Sequence, residues 1–145
     1  MSRKSELIET ISTLIAQRPE DVARRALQVW QALAAELIPV IGETGFATLF
    51  ARSLYRNQTL FPWLASTPAP QQPQVLQHSA TQFTTLKVGL QTRSFTEATA
   101  ANQALLITFT DILIVLIGEP LTIGILCAAW GDDASEITNK ELPHE

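Results

Sequence analysis

Residues 37–43 read Leu-Ile-Pro-Val-Ile-Gly-Glu, and residues 113–119 read Leu-Ile-Val-Leu-Ile-Gly-Glu. Five of the seven positions are identical, at an offset of 76 residues. Each copy closes an apolar run, breaks at a glycine and restarts a second apolar run. A chain that repeats a helix end in this way is held to an architecture of two related helical halves. The same offset carries Val29, Trp30, Leu33, Leu37, Ile38 and Ile41 onto Leu105, Leu106, Phe109, Leu113, Ile114 and Ile117, apolar on both sides. Leu7 and Leu14 map onto Phe83 and Leu90, whereas Ile11 meets Lys87.

Apolar residues spaced i, i+3, i+4, i+7 predict six helices, over residues 5–17, 20–40, 44–56, 74–92, 95–117 and 120–130. Pro19 suits a first helical position, and Glu20 and Asp21 favour the positive end of the helix dipole. Pro39 predicts a kink or a stop. Gly42 and Gly118 are natural helix breaks, each followed by a glutamate, Glu43 and Glu119, that opens the next segment. Ser94 to Glu97 spells Ser-x-x-Glu, a capping box for the fifth helix. The expected fold is all-α: a single six-helix bundle in one domain, 1–130, built of pseudo-repeated three-helix units at 5–57 and 74–130. A Pro- and Gln-rich linker, 58–73, joins them, and the acidic tail 131–145 is expected to be disordered.

Charge narrows the partners. Asp, Glu, Lys and Arg make up only 17% of the chain, against about 25% in ordinary globular proteins. Between residues 58 and 130 the charged residues are Lys87, Arg93, Glu97, Asp111 and Glu119 alone. No cluster of Lys and Arg large enough to track a phosphate backbone is present, so nucleic acid is not an expected partner. A single cysteine, Cys127, cannot close an internal disulfide, which points to the cytoplasm. The most apolar stretch begins at Ala104, carries Asp111 and ends at Gly118, short of the ~20 residues of a spanning helix. No membrane span is expected.

Few residues offer chemistry. Glu43 and Glu119 would approach one another across a pseudo-twofold, and paired carboxylates can share a proton or hold a metal. A bundle metal site normally adds Glu-x-x-His, which is absent, and the only histidines are His78 and His144. No metal or cofactor is therefore expected. Arg52 and Arg56 lie four apart and, with Arg24 and Arg25, can bind a phosphate or an acidic partner. Asp111 interrupts an apolar helix and either joins a polar stripe with Thr96, Thr99, Gln103 and Thr110 or meets Arg52 or Arg56. Phe61 and Trp63, in Phe-Pro-Trp-Leu, either dock on a partner or fold back over the core.

The last helix is apolar on nearly every side. Leu121, Ile123, Ile125, Leu126 and Trp130 exceed what one small bundle covers, which predicts a dimer interface. These features read as a non-catalytic, cytoplasmic protein-interaction or regulatory module acting as a homodimer, not as an enzyme. An alternative is a bundle that holds a small hydrophobic ligand, lined by Trp30, Phe50, Phe83, Phe109 and Ile114. A third reading is a carboxylate–metal enzyme built on Glu43, Asp111 and Glu119.

Overall fold

Apolar residues three and four apart coil nearly the whole of this chain, and the computed structural model describes residues 3–17, 19–63 and 79–141. Helix α1 is Arg3–Ala16, a 3-10 turn spans Pro19–Asp21, α2 is Val22–Arg56, α3 is Ser79–Gln91, α4 is Phe95–Ile117 and α5 is Glu119–Glu141. Among the described residues there is no strand, so the all-α class holds. Residues 64–73 of the expected linker, the start of the expected fourth helix, both histidines and the end of the tail lie outside the described residues.

Five helices, not six, make up the described structure. The segments expected at 20–40 and 44–56 are the two arms of one element, α2, kinked at Gly42, and Pro39 does not end the first arm. A proline leaves the carbonyl four residues earlier without its donor. That carbonyl belongs to Ala35, which lies with Pro39 on the exposed side of α2. The break falls instead at Gly42, the one non-helical residue inside α2, with φ 88° and ψ 161°. Gly118, between α4 and α5, adopts nearly the same angles, φ 93° and ψ 154°. Helix α5 runs past the expected end at Trp130 as far as Glu141, so residues 131–141 are helix and not disordered tail. Ala134, Glu136 and Lys140 are good helix formers, and the next proline is Pro143.

The Ser94 start acts as the sequence indicates, whereas Pro19–Asp21 form a 3-10 turn and α2 starts at Val22. The Ser94 hydroxyl accepts from the Glu97 backbone N–H at 3.2 Å and caps α4. Asn57 closes α2: its backbone N–H and side-chain amide both reach the Ser53 carbonyl, and the amide also donates to Thr108 Oγ1 at 3.0 Å.

The packing is crossed. Helix α2 lies against α3, α4 and α5, while α1 lies against α5 and α4. Trp30 sits at the centre, fully buried, with its ring edge-on to Phe50 at 4.8 Å and to Phe109 at 5.3 Å. Its indole N–H donates to Asn102 Oδ1 at 2.8 Å. The neighbouring Val29 carbonyl accepts from the indole of Trp130 at 3.1 Å. Two adjacent residues thus fasten α2 to both α4 and α5.

The expectation of no membrane span is overturned. Helices Val22–Arg56 and Phe95–Ile117 are both long and apolar enough to cross a membrane, with best stretches of mean hydropathy 1.4 and 1.9. The sequence places the second of these helices at 95–117 but counts its apolar run from Ala104 only. The Ser94 cap starts it at Phe95, and 23 residues of helix extend about 35 Å, against the ~30 Å of a bilayer core. In the fold, 39% of each stretch is buried.

Candidate functional site

Folding uses up most of the residues expected at a dimer interface. Trp130 and Leu126 are fully buried, Ile125 is nearly so and Ile123 is half-buried. Helix α5 packs against α1, α2 and α4, while Leu121, Gly124 and Ala128 face out. Leu121 alone of the five stays exposed, at 49%. It has company from the end of α4, where Val115 is 87% and Leu116 60% exposed. These three residues form an apolar corner where α4 turns into α5 through Gly118. Exposed Ile107 lies two helical turns before Val115 on the same side of α4, with Asp111 between them.

A second feature lies between α2 and α3. Arg24, Gln28 and Gln31 share one face of α2 at i, i+4, i+7, and Thr84 and Lys87 share one face of α3. Together they rim an open groove of about 390 Å³, floored by the buried Leu27 and Phe83. One guanidinium nitrogen of Arg24 pairs with Asp21 at 3.1 Å. Of the arginines singled out in the sequence, the groove recruits Arg24 only. Arg25 turns the other way and donates to the Leu14 carbonyl at 3.2 Å, while Arg52 and Arg56 are exposed on the second arm of α2.

Phe61 and Trp63 fold back, as the less functional of their two readings had it. They meet each other at 6.4 Å, and Arg93 lies over the Trp63 ring at 5.3 Å. Trp63 rests on Gly89 of α3, where a Cβ would stand 2.9 Å from the ring. Alanine in place of a helical glycine ordinarily gains ~1 kcal/mol. Here a rigid ring blocks it, so Gly89→Ala is expected to lower the urea midpoint by the equivalent of about 1 kcal/mol. A raised midpoint would show that Trp63 is not seated on α3.

The remaining candidates separate. Asp111 is exposed, but Thr110 beside it is buried, so the polar stripe expected on α4 splits between surface and core. Glu43 is half-buried and Glu119 exposed, each just past its glycine. Among the described residues no three His, Cys, Asp or Glu side chains group as a metal site would. Trp30, Phe50, Phe83 and Phe109, offered as the walls of a ligand pocket, stack on one another through Phe46 in a run of ring contacts at 4.8–6.3 Å. The groove was missed by sequence reasoning, although one signal pointed to it: Lys87 is where the repeat fails to match Ile11.

Compared with protein-family models, with curated proteins and with solved structures, the chain matches none.

Proposed function

We propose that this protein is a non-catalytic interaction module, built by duplication of one helical unit, that pairs with a second copy of itself through the apolar corner between α4 and α5. The exposure of Val115 and Leu116 carries the reading. Two adjacent large apolar side chains at the end of a helix, joined by Leu121 across the turn, make a patch that a twofold can bury against its own image. Exposed Ile107 extends that patch along α4, with Asp111 between it and Val115. The single Cys127 suits a cytoplasmic setting, which is part of the proposal.

The duplication has support beyond the shared Ile-Gly-Glu. An offset of 76 carries α1, Arg3–Ala16, onto the span of α3, Ser79–Gln91. It carries Gly42 onto Gly118, both in a conformation open only to glycine. Buried Val22, Val29, Trp30, Leu33, Leu37, Phe46, Leu49, Phe50 and Leu54 fall on Ala98, Leu105, Leu106, Phe109, Leu113, Thr122, Ile125, Leu126 and Trp130, all buried. The first helix of each unit then packs on the glycine-bent pair of the other, α1 on α4 and α5, α3 on α2. Six helical segments in two interlocked triplets result, with Gly42 and Gly118 as the two corners.

Changing Val115 and Leu116 to glutamate tests the pairing. Both side chains already face water, so the Val115→Glu/Leu116→Glu protein keeps its helicity and its unfolding midpoint within the equivalent of about 0.5 kcal/mol. Light scattering is expected to find a dimer for the natural sequence and a monomer for the variant. Equal masses for the two proteins would refute the assignment. Flotation with lipid vesicles that is lost in the same variant would give the corner to a bilayer instead.

A further inference from the structure

The groove between α2 and α3 has a counterpart in the other half of the molecule, and the two differ in kind. Moving Arg24, Gln28 and Gln31 by 76 residues gives Ala100, Ala104 and Ile107. Moving Thr84 and Lys87 back by the same amount gives Ile8 and Ile11, both buried. At the equivalent positions of the other half, α1 carries the buried Ile8 and Ile11, and α4 carries the exposed Ala100 and Ile107 with Ala104 half-buried, so no polar rim stands there. Between α2 and α3 the groove is open and edged with an arginine, a lysine, a threonine and two amides. The fold does not need that polarity, because the equivalent positions of the other half are apolar throughout. Polar side chains that packing does not require, set around a concave surface with an apolar floor, are the makings of a ligand site.

We propose that this groove binds a small organic anion, a carboxylate or phosphate monoester on a ring or short apolar body. The charged head sits between Arg24 and Lys87, one cation from each helix. Arg24 spends one nitrogen on Asp21 and keeps further N–H groups for the ligand. Lys87 adds a second charge-assisted bond. Gln28 and Gln31 offer donors and acceptors to the remaining oxygens, and the body of the ligand covers Phe83 and Leu27. A volume of about 390 Å³ admits a molecule of roughly ten to twenty heavy atoms.

The test uses the full-length protein and four probes: phenyl phosphate, benzoate, inorganic phosphate and neutral benzamide, followed by amide chemical-shift titration. Phenyl phosphate or benzoate is expected to bind saturably, with shifts centred on residues 24–31 and 83–87, and benzamide is not. Inorganic phosphate is expected to bind more weakly, for want of the apolar contact. Lys87→Gln is expected to weaken the organic anion about tenfold, and Lys87→Arg to keep it within about threefold. Lys87→Ile, which copies the other half, is expected to abolish binding with no loss of helicity. Equal affinity for benzoate and benzamide, equal affinity of the natural protein and Lys87→Ile, or no saturable shift with any anion would overturn the proposal.

Discussion

Alanine at Gly42 is expected to cost about 1–3 kcal/mol, although no neighbouring atom lies within 4 Å of where its Cβ would be. The penalty comes from the backbone. At φ 88° and ψ 161° an L-residue sets its Cβ against its own peptide groups, so the chain must either bear the strain or straighten the corner. Straightening would pull Phe46 and Phe50 off Trp30 and Phe109, so strain is the lesser loss. Gly118→Ala meets the same backbone, with Pro120 Cδ at 3.9 Å as its nearest neighbour, and should lose a similar amount. The two sites lie on different hairpins, and their losses should add to about 2–6 kcal/mol, enough to unfold many domains of this size. D-alanine, placed at Gly42 by ligation, tells strain from packing. Its mirror-image preference suits the angles, so it should restore or exceed the natural midpoint. Loss of stability with D-alanine as well would show that the corner is not held at a positive φ.

Trp30→Ala is expected to be the most damaging single change, at about 3–5 kcal/mol. It removes a fully buried ring with edge contacts to Phe50 and Phe109 and leaves Asn102, itself 2% exposed, without its donor. Trp30→Phe separates the two losses. The ring contacts largely survive, and the orphaned Asn102 amide accounts for a cost of about 1–3 kcal/mol. Adding Asn102→Leu to Trp30→Phe should then recover part of that cost, since an apolar pair no longer strands a polar group. If Trp30→Phe/Asn102→Leu is less stable than Trp30→Phe, the hydrogen bond is not what ties α2 to α4. Chemical denaturation followed at the remaining tryptophans reads all three proteins.

Local signals in the sequence carried local structure well. Ser94 and Gly118 bound α4 at the expected residues, because a cap and a left-handed stop act within one turn and need no partner. Gly42 was legible for the same reason. The continuity of α2 through Pro39 was not, since it depends on Ala35 facing water, a fact of tertiary packing. Helix α5 misled in a different way. An all-round apolar run does not show which of its faces are covered, nor whether the cover comes from the same chain. Here α1, α2 and α4 supply it, and Ile125, Leu126 and Trp130 turn inward. The exposed pair Val115 and Leu116 hid inside the most apolar run in the chain, where periodicity cannot tell the wet face from the dry one. The groove at Lys87 was visible only as a flaw in the repeat.

That flaw and the α4–α5 corner share an origin in the proposed duplication. In that proposal two copies of one unit interlock, and at least nine pairs of positions 76 residues apart are buried on both sides. What differs between them is free to do something else: a cationic groove beside α3, and an apolar corner at α4. At the position of the corner the first copy has Pro39 and Val40, and only the second has Val115 and Leu116 with Leu121 across the turn.

Pairing of two chains at that corner is the central claim, and a dipolar distance measurement tests it most directly. A nitroxide on Glu119→Cys, in a Cys127→Ser background, stands beside the corner on an exposed residue without occupying it. A twofold through the corner brings the two labels together, so the account predicts one narrow distance distribution below about 30 Å, roughly the diameter of a small domain. Labels with no dipolar coupling at micromolar protein, or a distribution centred well beyond that distance, would contradict it.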